Sequence, residues 1–374
     1  MKKILPISLC MIVRNEEKCI FNCLESVKGL VNEIIIIDTG STDKSKEICK
    51  NYTNKIFDFA WNENFSDARN FGIDKATSDW ILWIDSDEIL DIKNLELLFA
   101  ELENKEKDIY LIQIINYYGD FPPDKYRANL FWTNRLFRNY KGFKFNGAIH
   151  EQLSPTNVEG ICMEEFTDNI EIHHYGYMNN IIKEKKKSER NLSILEKQKI
   201  IYNNNPWIDF YIASEYCQLG KYYEAFEQVN LSIVGFIKKE QLPPSLLYRL
   251  KYHILITLEN YDGARLGIEK AIELYPKYVD LHFYKGIILF KNEIYEEAIS
   301  TFNNCLNLDE FQSQYLSLAG VESYRSWYLI GCCYEKLSRY EKAANAYNNA
   351  LYINPNYIDG KIKLQNLAKT NFLL

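Results

Sequence analysis

What this 374-residue chain lacks narrows its class quickly. None of its 9 cysteines forms a CxxC pair, and its 5 histidines show no metal-finger spacing. The sequence therefore carries no zinc-finger spacing, and its scattered cysteines fit reduced thiols in a cytosolic protein, most of them acting as small buried hydrophobes. There is no excess of basic residues. The net charge of -7 and isoelectric point near 5.5 leave no footprint for nucleic acid or an anionic membrane. No run approaches the ~18 apolar residues of a membrane helix, so no integral membrane segment is expected. Lys2 and Lys3 before the apolar stretch 4–13 imitate a secretory leader. Arg14, Asn15, Glu16 and Glu17 follow at once without a small-residue cleavage site, so a first β-strand is the expectation.

What is present is ordinary for a globular protein, with 47% hydrophobic and 25% charged residues. The length suits about two domains. The 28 Tyr and 20 Phe are unusually many.

The first half is organised around Ser78–Glu88. Trp80–Ile84 is apolar on both faces, as a strand inside a sheet must be, and it ends abruptly in Asp85, Ser86 and Asp87. Two carboxylates at i and i+2 past a strand's C-terminal end suit a divalent cation with oxygen ligands. Alone the pattern is weak, because turns are rich in Asp. Upstream, strands at 6–13, 34–37 and 56–59 alternate with helices at about 18–29, 44–51 and from 66 onward. That alternation predicts a parallel, doubly wound α/β sheet with ligands at the strand C-termini. The polar clusters at 14–17, 38–43, 67–70 and 85–87 all fall at that edge. Asp43 and Asp67 also suit helix N-caps, Glu16 or Glu17 a helix N-terminus, and Arg14 a solvated turn.

Residues 7 to about 176 resemble family 2 glycosyltransferases of the GT-A fold. The likeness is carried by Val13-Arg14-Asn15-Glu16, Asp38-Thr39-Gly40-Ser41-Thr42-Asp43, Ala68-Arg69-Asn70-Phe71-Gly72 and Asp85-Ser86-Asp87. The resemblance implies a nucleotide-diphosphate-sugar donor, such as UDP-glucose or UDP-N-acetylglucosamine. It assigns Val13, Asn15, Glu16, Asp38, Arg69, Asp85 and Ser86 to donor binding. Asp38 would contact the base, Arg69 the base or diphosphate, Asp85 the ribose or metal, and Asp87 the metal (Mn²⁺ or Mg²⁺). A cation suits the chemistry, since the leaving diphosphate gathers negative charge as its bond breaks.

Further on, 109–117 is strand-like, followed by Asn134–Arg138 and then Gly147 and His150-Glu151. Inverting transfer needs a general base to deprotonate the acceptor. By resemblance Glu151 is the base and His150 the second choice; the alternative is a structural pair holding the acceptor loop. In Ile172–Tyr177 the resemblance gives His174 to the metal, with a buried structural histidine as the alternative. His173 alternates with it and should face away along extended chain.

Residues 181–205 are densely charged and read as a solvated linker helix between a transferase domain at 1–180 and a repeat domain at 206–374. The repeats follow the tetratricopeptide pattern, clearest at Trp327, Gly331, Tyr334, Tyr340, Ala343, Tyr347, Ala350 and Pro355. Earlier units carry Gly286, Tyr295, Ala298 and Phe302, then Tyr261, Ala264 and Ala271, then Ala213, Tyr216, Tyr222 and Ala225. Four helical pairs are expected, their aromatics mostly packing. Such stacks present a concave surface for a peptide, a protein or a second copy of the chain. The pairing resembles the sublancin-type peptide glycosyltransferases, which modify Cys, Ser or Thr of a bacteriocin precursor. The rival readings are a cell-surface glycan or lipopolysaccharide-core transferase of the same fold, and a scaffold with an inactive transferase domain.

Overall fold

The computed structural model describes residues 3–155, 163–178, 187–202, 204–308 and 315–371. It divides into two units, 1–198 and 199–374.

The first unit begins with the expected alternation. Strands β1 (Leu5–Val13), β2 (Val31–Asp38), β3 (Ile56–Asp58) and β4 (Trp80–Trp83) are interleaved with helices α1 (Ile20–Val27), α2 (Ser45–Cys49) and α3 (Phe65–Ile73). Period-2 geometry divides the apolar runs between two cores. Ile34, Ile36, Trp80 and Leu82 join the core on one face, with Leu24 and Val27 of α1. Ile35, Ile37, Ile81 and Trp83 join the core on the other, with Ala68 and Ile73 of α3.

Beyond β4 the chain supplies β5 (Glu88–Ile92), α4 (Leu95–Glu103), β6 (Ile109–Gly119), β7 (Ala128–Arg138), β8 (Phe143–Asn146), β9 (Gln152–Pro155) and β10 (Glu164–Met178). The main sheet runs β3-β2-β1-β4-β7-β6-β10-β5, and β8 and β9 form a separate hairpin. β1, β2, β3 and β4 are mutually parallel. β7 enters antiparallel to β4, with Trp80 opposite Arg138 and Leu82 opposite Leu136. The sheet is therefore mixed and Rossmann-like, not wholly parallel as the early alternation suggested. β5 is a second departure, a short strand directly behind the acidic turn. A third concerns α3, whose N-cap is Asn64, accepting from the Asp67 amide at 3.3 Å, so Asp67 sits inside the first turn.

Helix α5 (Lys187–Ile201) supplies the charged segment. Its Lys187 pairs with Asp87 at 2.7 Å and its Lys197 with Glu63 at 2.5 Å, which carries the first unit past the expected end at 180. The boundary at 180/181 and linker residues 181–186 lie outside the described residues.

The second unit is helical: α6 (Pro206–Gln218), α7 (Tyr222–Lys238), α8 (Ser245–Thr257), α9 (Tyr261–Leu274), α10 (Val279–Lys291), α11 (Tyr295–Asn307), α12 (Tyr324–Lys336), α13 (Tyr340–Ile353) and α14 (Ile358–Asn371). The four expected pairs are α6–α7 to α12–α13, with α14 added behind. Small residues meet aromatics as the pattern requires. Ala213, Ala225, Ala264, Ala298 and Ala343 are fully buried. A Cβ on Gly286 would lie 2.4 Å from the Phe302 ring, and one on Gly331 2.5 Å from the Tyr347 ring. Asp280 is also fully buried, and its carboxylate accepts from Arg249 Nε at 2.8 Å and the Leu318 amide at 3.1 Å. Among the described residues no helix is long and apolar enough to cross a membrane.

Candidate active site

The site forms where β1, β2 and β4 end side by side. The turn after β1 is fastened to the turn after β2. Asn15 Oδ1 accepts from the Thr42 amide at 2.8 Å, and Ser45 Oγ from the Glu16 amide at 2.7 Å. Asp43 accepts from the Glu17 and Ser45 amides at 3.1 and 2.9 Å. Asn15 takes a positive φ of 55°, a region Asn tolerates better than most residues. The Val13 carbonyl accepts from the Thr39 amide at 3.0 Å. In this structure Val13 and Asn15 thus shape the edge through these bonds. Asp38, 2% exposed, accepts from the Gly40 and Ser41 amides through Oδ1, both at 3.1 Å. Its Oδ2 is buried without a hydrogen-bond partner among the described residues. Buried polar atoms are rarely left so, and one at a sheet's ligand edge is an opening for a donor group.

Helix α3 brings two neighbouring side chains to different tasks. Arg69 packs against Trp83 and Phe145, whose rings meet edge to face, with its guanidinium carbon 5.0 and 5.3 Å from the ring centroids. It donates to Glu151 through Nε and to Asp85 Oδ1 through Nη2 at 3.3 Å, while Nη1 is buried without a partner among the described residues. Asn70 pairs with the Phe145 backbone like an extra strand, donating at 2.9 Å and accepting at 2.8 Å. That docks the β8–β9 hairpin, whose connecting loop holds His150 and Glu151. Ser66 Oγ donates to the Gly147 carbonyl at 2.5 Å and fixes the same loop. His150 has a positive φ of 52°. Gly72 completes the helix's fit, since a Cβ there would lie 2.9 Å from the Trp83 ring.

The acidic turn separates its two aspartates. Asp85 spends both oxygens on guanidiniums, Oδ1 on Arg69 and Oδ2 on Arg135 at 3.3 Å. Burial opposes its ionisation, but the two arginines prevail and hold the carboxyl down at about 2. Behind it Glu88, 1% exposed, accepts from Arg135 at 3.1 Å and from the Asp85 amide at 2.6 Å. Burial pushes the Glu88 carboxyl upward, against the pull of Arg135. Ser86 is buried beside them.

Asp87, 7% exposed, meets a different set. Its Oδ1 is 3.5 Å from His174 Nε2, and its Oδ2 accepts from Lys187 Nζ at 2.7 Å. His174 Nδ1 is 2.5 Å from Asn116 Oδ1, so a proton on Nδ1 presents Nε2 as a lone pair toward Asp87. A Cβ on Gly176 would fall 2.4 Å from His174 Nε2, 2.8 Å from Asp87 Oδ2 and 3.0 Å from Lys187 Nζ. The missing side chain lets an imidazole nitrogen and a carboxylate oxygen crowd the backbone together, a donor pair that fits Mn²⁺ better than Mg²⁺. Asp87 and His174 fit such an ion; Asp85 is committed to Arg69 and Arg135. Asn15, Glu16, Asp43, Ser86, Asp87 and Tyr175 line a cavity of about 620 Å³.

His173 meets other partners than His174. Its Nδ1 is 2.8 Å from Tyr117 Oη and its Nε2 3.2 Å from Glu171 Oε1, with Asp91 3.8 Å away. Asp91, Glu171 and His173 could also hold an ion by spacing, but Lys93 pairs with Glu171, so the group carries its own balancing cation.

Reading the sequence missed Glu88, Arg135, Asn116 and Lys187. Arg135 lay in a segment that stood out without a role, and Lys187 was read as part of a solvated face. A three-residue-to-strand pattern cannot announce a partner 100 positions away.

Comparison with known proteins agrees with this layout. Residues 8–158 match glycosyl transferase family 2, and residues 253–304 and 324–357 match tetratricopeptide repeats. The SPbeta prophage-derived glycosyltransferase SunS of Bacillus subtilis (strain 168) is 31% identical over 293 residues, 75% of this chain and 65% of its own length. A TPR repeat-containing protein of Synechococcus elongatus is 29% identical over 276 residues, 72% of this chain and 64% of its own. The lipopolysaccharide core biosynthesis glycosyltransferase LpsC of Rhizobium meliloti is 31% identical over 175 residues, 42% of this chain and 60% of its own. The matches thus span just under two thirds of these relatives. Among solved structures, YrrB, a TPR protein with an unusual peptide-binding site, covers 50% of this chain and 88% of its own at 18% identity and a TM-score of 0.40. The chain carries a family 2 glycosyl transferase domain and continues into tetratricopeptide repeats.

Proposed function

We propose that this chain is an inverting, metal-dependent glycosyltransferase. It moves a sugar from a UDP-linked donor, such as UDP-glucose or UDP-N-acetylglucosamine, to a Ser, Thr or Cys side chain of a polypeptide held by the repeats. The observation that carries this reading is the pair of unpartnered buried atoms, Asp38 Oδ2 and Arg69 Nη1, at the same sheet edge as the Asp87–His174 pair. Asp38 accepts a hydrogen bond from the base. Arg69 offers its remaining N–H to the base or diphosphate and links the donor side, through Asp85, to the acceptor side, through Glu151. A divalent ion held by Asp87 and His174 supplies counter-charge for the departing diphosphate. Glu151 takes the acceptor proton, with His150 as the alternative, and the Arg69–Glu151 pair must loosen for it to do so. The described cysteines are all free thiols, which supports a cytoplasmic setting.

The test is UDP release from UDP-glucose and UDP-N-acetylglucosamine with Mn²⁺ or Mg²⁺, followed by transfer to Ser-, Thr- and Cys-containing peptides. Turnover should stop in excess chelator, and Asp87→Ala should lower it by about 10²–10³-fold or more. Full activity in chelator overturns the metal role. Transfer to glycan acceptors alone overturns the polypeptide acceptor.

A further inference from the structure

We propose that Lys187 is the resident counter-charge of Asp87 and that the divalent ion binds there by exchange with it. This rests on the reading above, in which Asp87 and His174 hold the ion.

The Asp87 side chain is only 6% exposed, whereas that of Lys187 is 31% exposed. A carboxylate so far from water is costly unless another charge faces it. Lys187 provides that charge at 2.7 Å. It does so from the first turn of α5, so its long side chain reaches the site while its backbone stays on the helix.

The crowding beside Gly176 fixes what can happen next. His174 Nε2, Asp87 Oδ2 and Lys187 Nζ all lie within 3.0 Å of the point a Cβ would take there, so the three polar atoms are close neighbours. Divalent ions keep about 2.0–2.2 Å from nitrogen and oxygen ligands, so an ion held by the first two would lie within a few ångström of the ammonium. The third cannot join them. A protonated amine has no lone pair to give. Held at such a distance, it repels a doubly charged ion in surroundings that screen poorly. The ion and the ammonium therefore take the Asp87 carboxylate in turn, although His174 faces Oδ1 and Lys187 faces Oδ2. The empty site keeps its buried carboxylate neutralised, and the filled site frees the Lys187 ammonium to face another anion, such as a departing diphosphate. No bond is made or broken; one cation replaces another.

The full chain and its variants Lys187→Met, Lys187→Arg and Asp87→Asn are titrated with Mn²⁺ alone, free ion being read by electron paramagnetic resonance. Lys187→Met removes the competitor while keeping the chain length, so it should bind Mn²⁺ about tenfold more tightly than the unaltered protein. Lys187→Arg keeps the competitor and should stay within about threefold. In the unaltered protein, acetylation of Lys187 followed by mass spectrometry should rise several-fold when Mn²⁺ saturates the site, while Lys197 stays constant. That arm decides the matter even if Lys187→Met fails to fold. Equal or weaker Mn²⁺ binding by Lys187→Met, with Asp87→Asn still abolishing it, overturns the exchange and leaves the metal reading intact. Unchanged binding by Asp87→Asn overturns both.

Discussion

Gly176 and Gly331 make a useful pair, one in each unit. Each lacks a side chain because a neighbour occupies the space a Cβ would take. At Gly331 the intruder is the Tyr347 ring, whose Oη donates to Glu335 at 2.7 Å, and the contact is closed packing between α12 and α13. At Gly176 the intruders are an imidazole nitrogen, a carboxylate oxygen and an ammonium. Apolar contact completes the first position, whereas the second gathers polar atoms that a ligand can take over. What meets the missing Cβ, more than the glycine itself, separates packing from chemistry.

The largest expected effect lies on the polar side of this comparison. Glu151→Gln keeps size and hydrogen bonding, so its loss of turnover, about 10²–10⁴-fold with donor binding nearly intact, should reflect a missing base. The defect should be greater with a hydroxyl acceptor than with a thiol, which ionises near pH ~8.5 unaided. Normal activity of Glu151→Gln beside an inactive His150→Asn would transfer the role to His150.

Gly176→Ala tests the comparison directly. The added methyl overlaps the three polar atoms, so Mn²⁺ affinity and turnover should each fall about tenfold or more, while thermal unfolding shifts little. A large loss of stability with normal metal binding would make Gly176 another packing glycine.

Gly331→Ala should behave oppositely. Alanine gains up to about 1 kcal/mol of helix propensity, but overpacking costs about 1–3 kcal/mol. Because Tyr347 is pinned by Glu335, the second term should win. A lower melting temperature with unchanged donor hydrolysis is the expected result by calorimetry and UDP release.

The last effect concerns a structural charge away from the site. Glu33 accepts from the Thr77 amide at 2.6 Å and also pairs with Lys55 and Ser8. Burial alone would raise its pKa, but these bonds prevail and lower it from 4.5 to about 2. A depressed carboxyl stabilises the fold above its unfolded pKa, and that share fades as pH falls from 4.5 toward 2. Glu33→Gln should therefore cost on the order of 2 kcal/mol at neutral pH and flatten the acid limb of the stability curve. An unchanged acid limb would remove Glu33 as its source.

The elements that were legible are those whose own periodicity decides them. β1, β2 and β4, the helices between them and the four repeat pairs follow from runs such as Ile34–Ile37 and from small-to-aromatic spacing. β5 was not legible, because Glu88 looked like part of the acidic turn, yet its backbone is strand and its carboxylate is buried against Arg135. β7 and the 15-residue β10 were hidden because their partners come from distant sequence. At the site, residue types at the strand ends were readable. Their division of labour was not: the commitment of Asp85 to two arginines and of Asp87 to His174 and Lys187 depends on where β7, β10 and α5 return.

Asn70 carries a lesson for redesign. Its amide copies a strand's hydrogen bonds to Phe145, one residue from the arginine that grips Asp85. The Arg69 contacts and the anchor of the β8–β9 hairpin are thus built on a single turn of helix. A chimera given a foreign β8–β9 hairpin keeps this fit only if that hairpin still presents its backbone to Asn70. Loop grafts here should be cut around α3 and the hairpin together, as one exchangeable cassette.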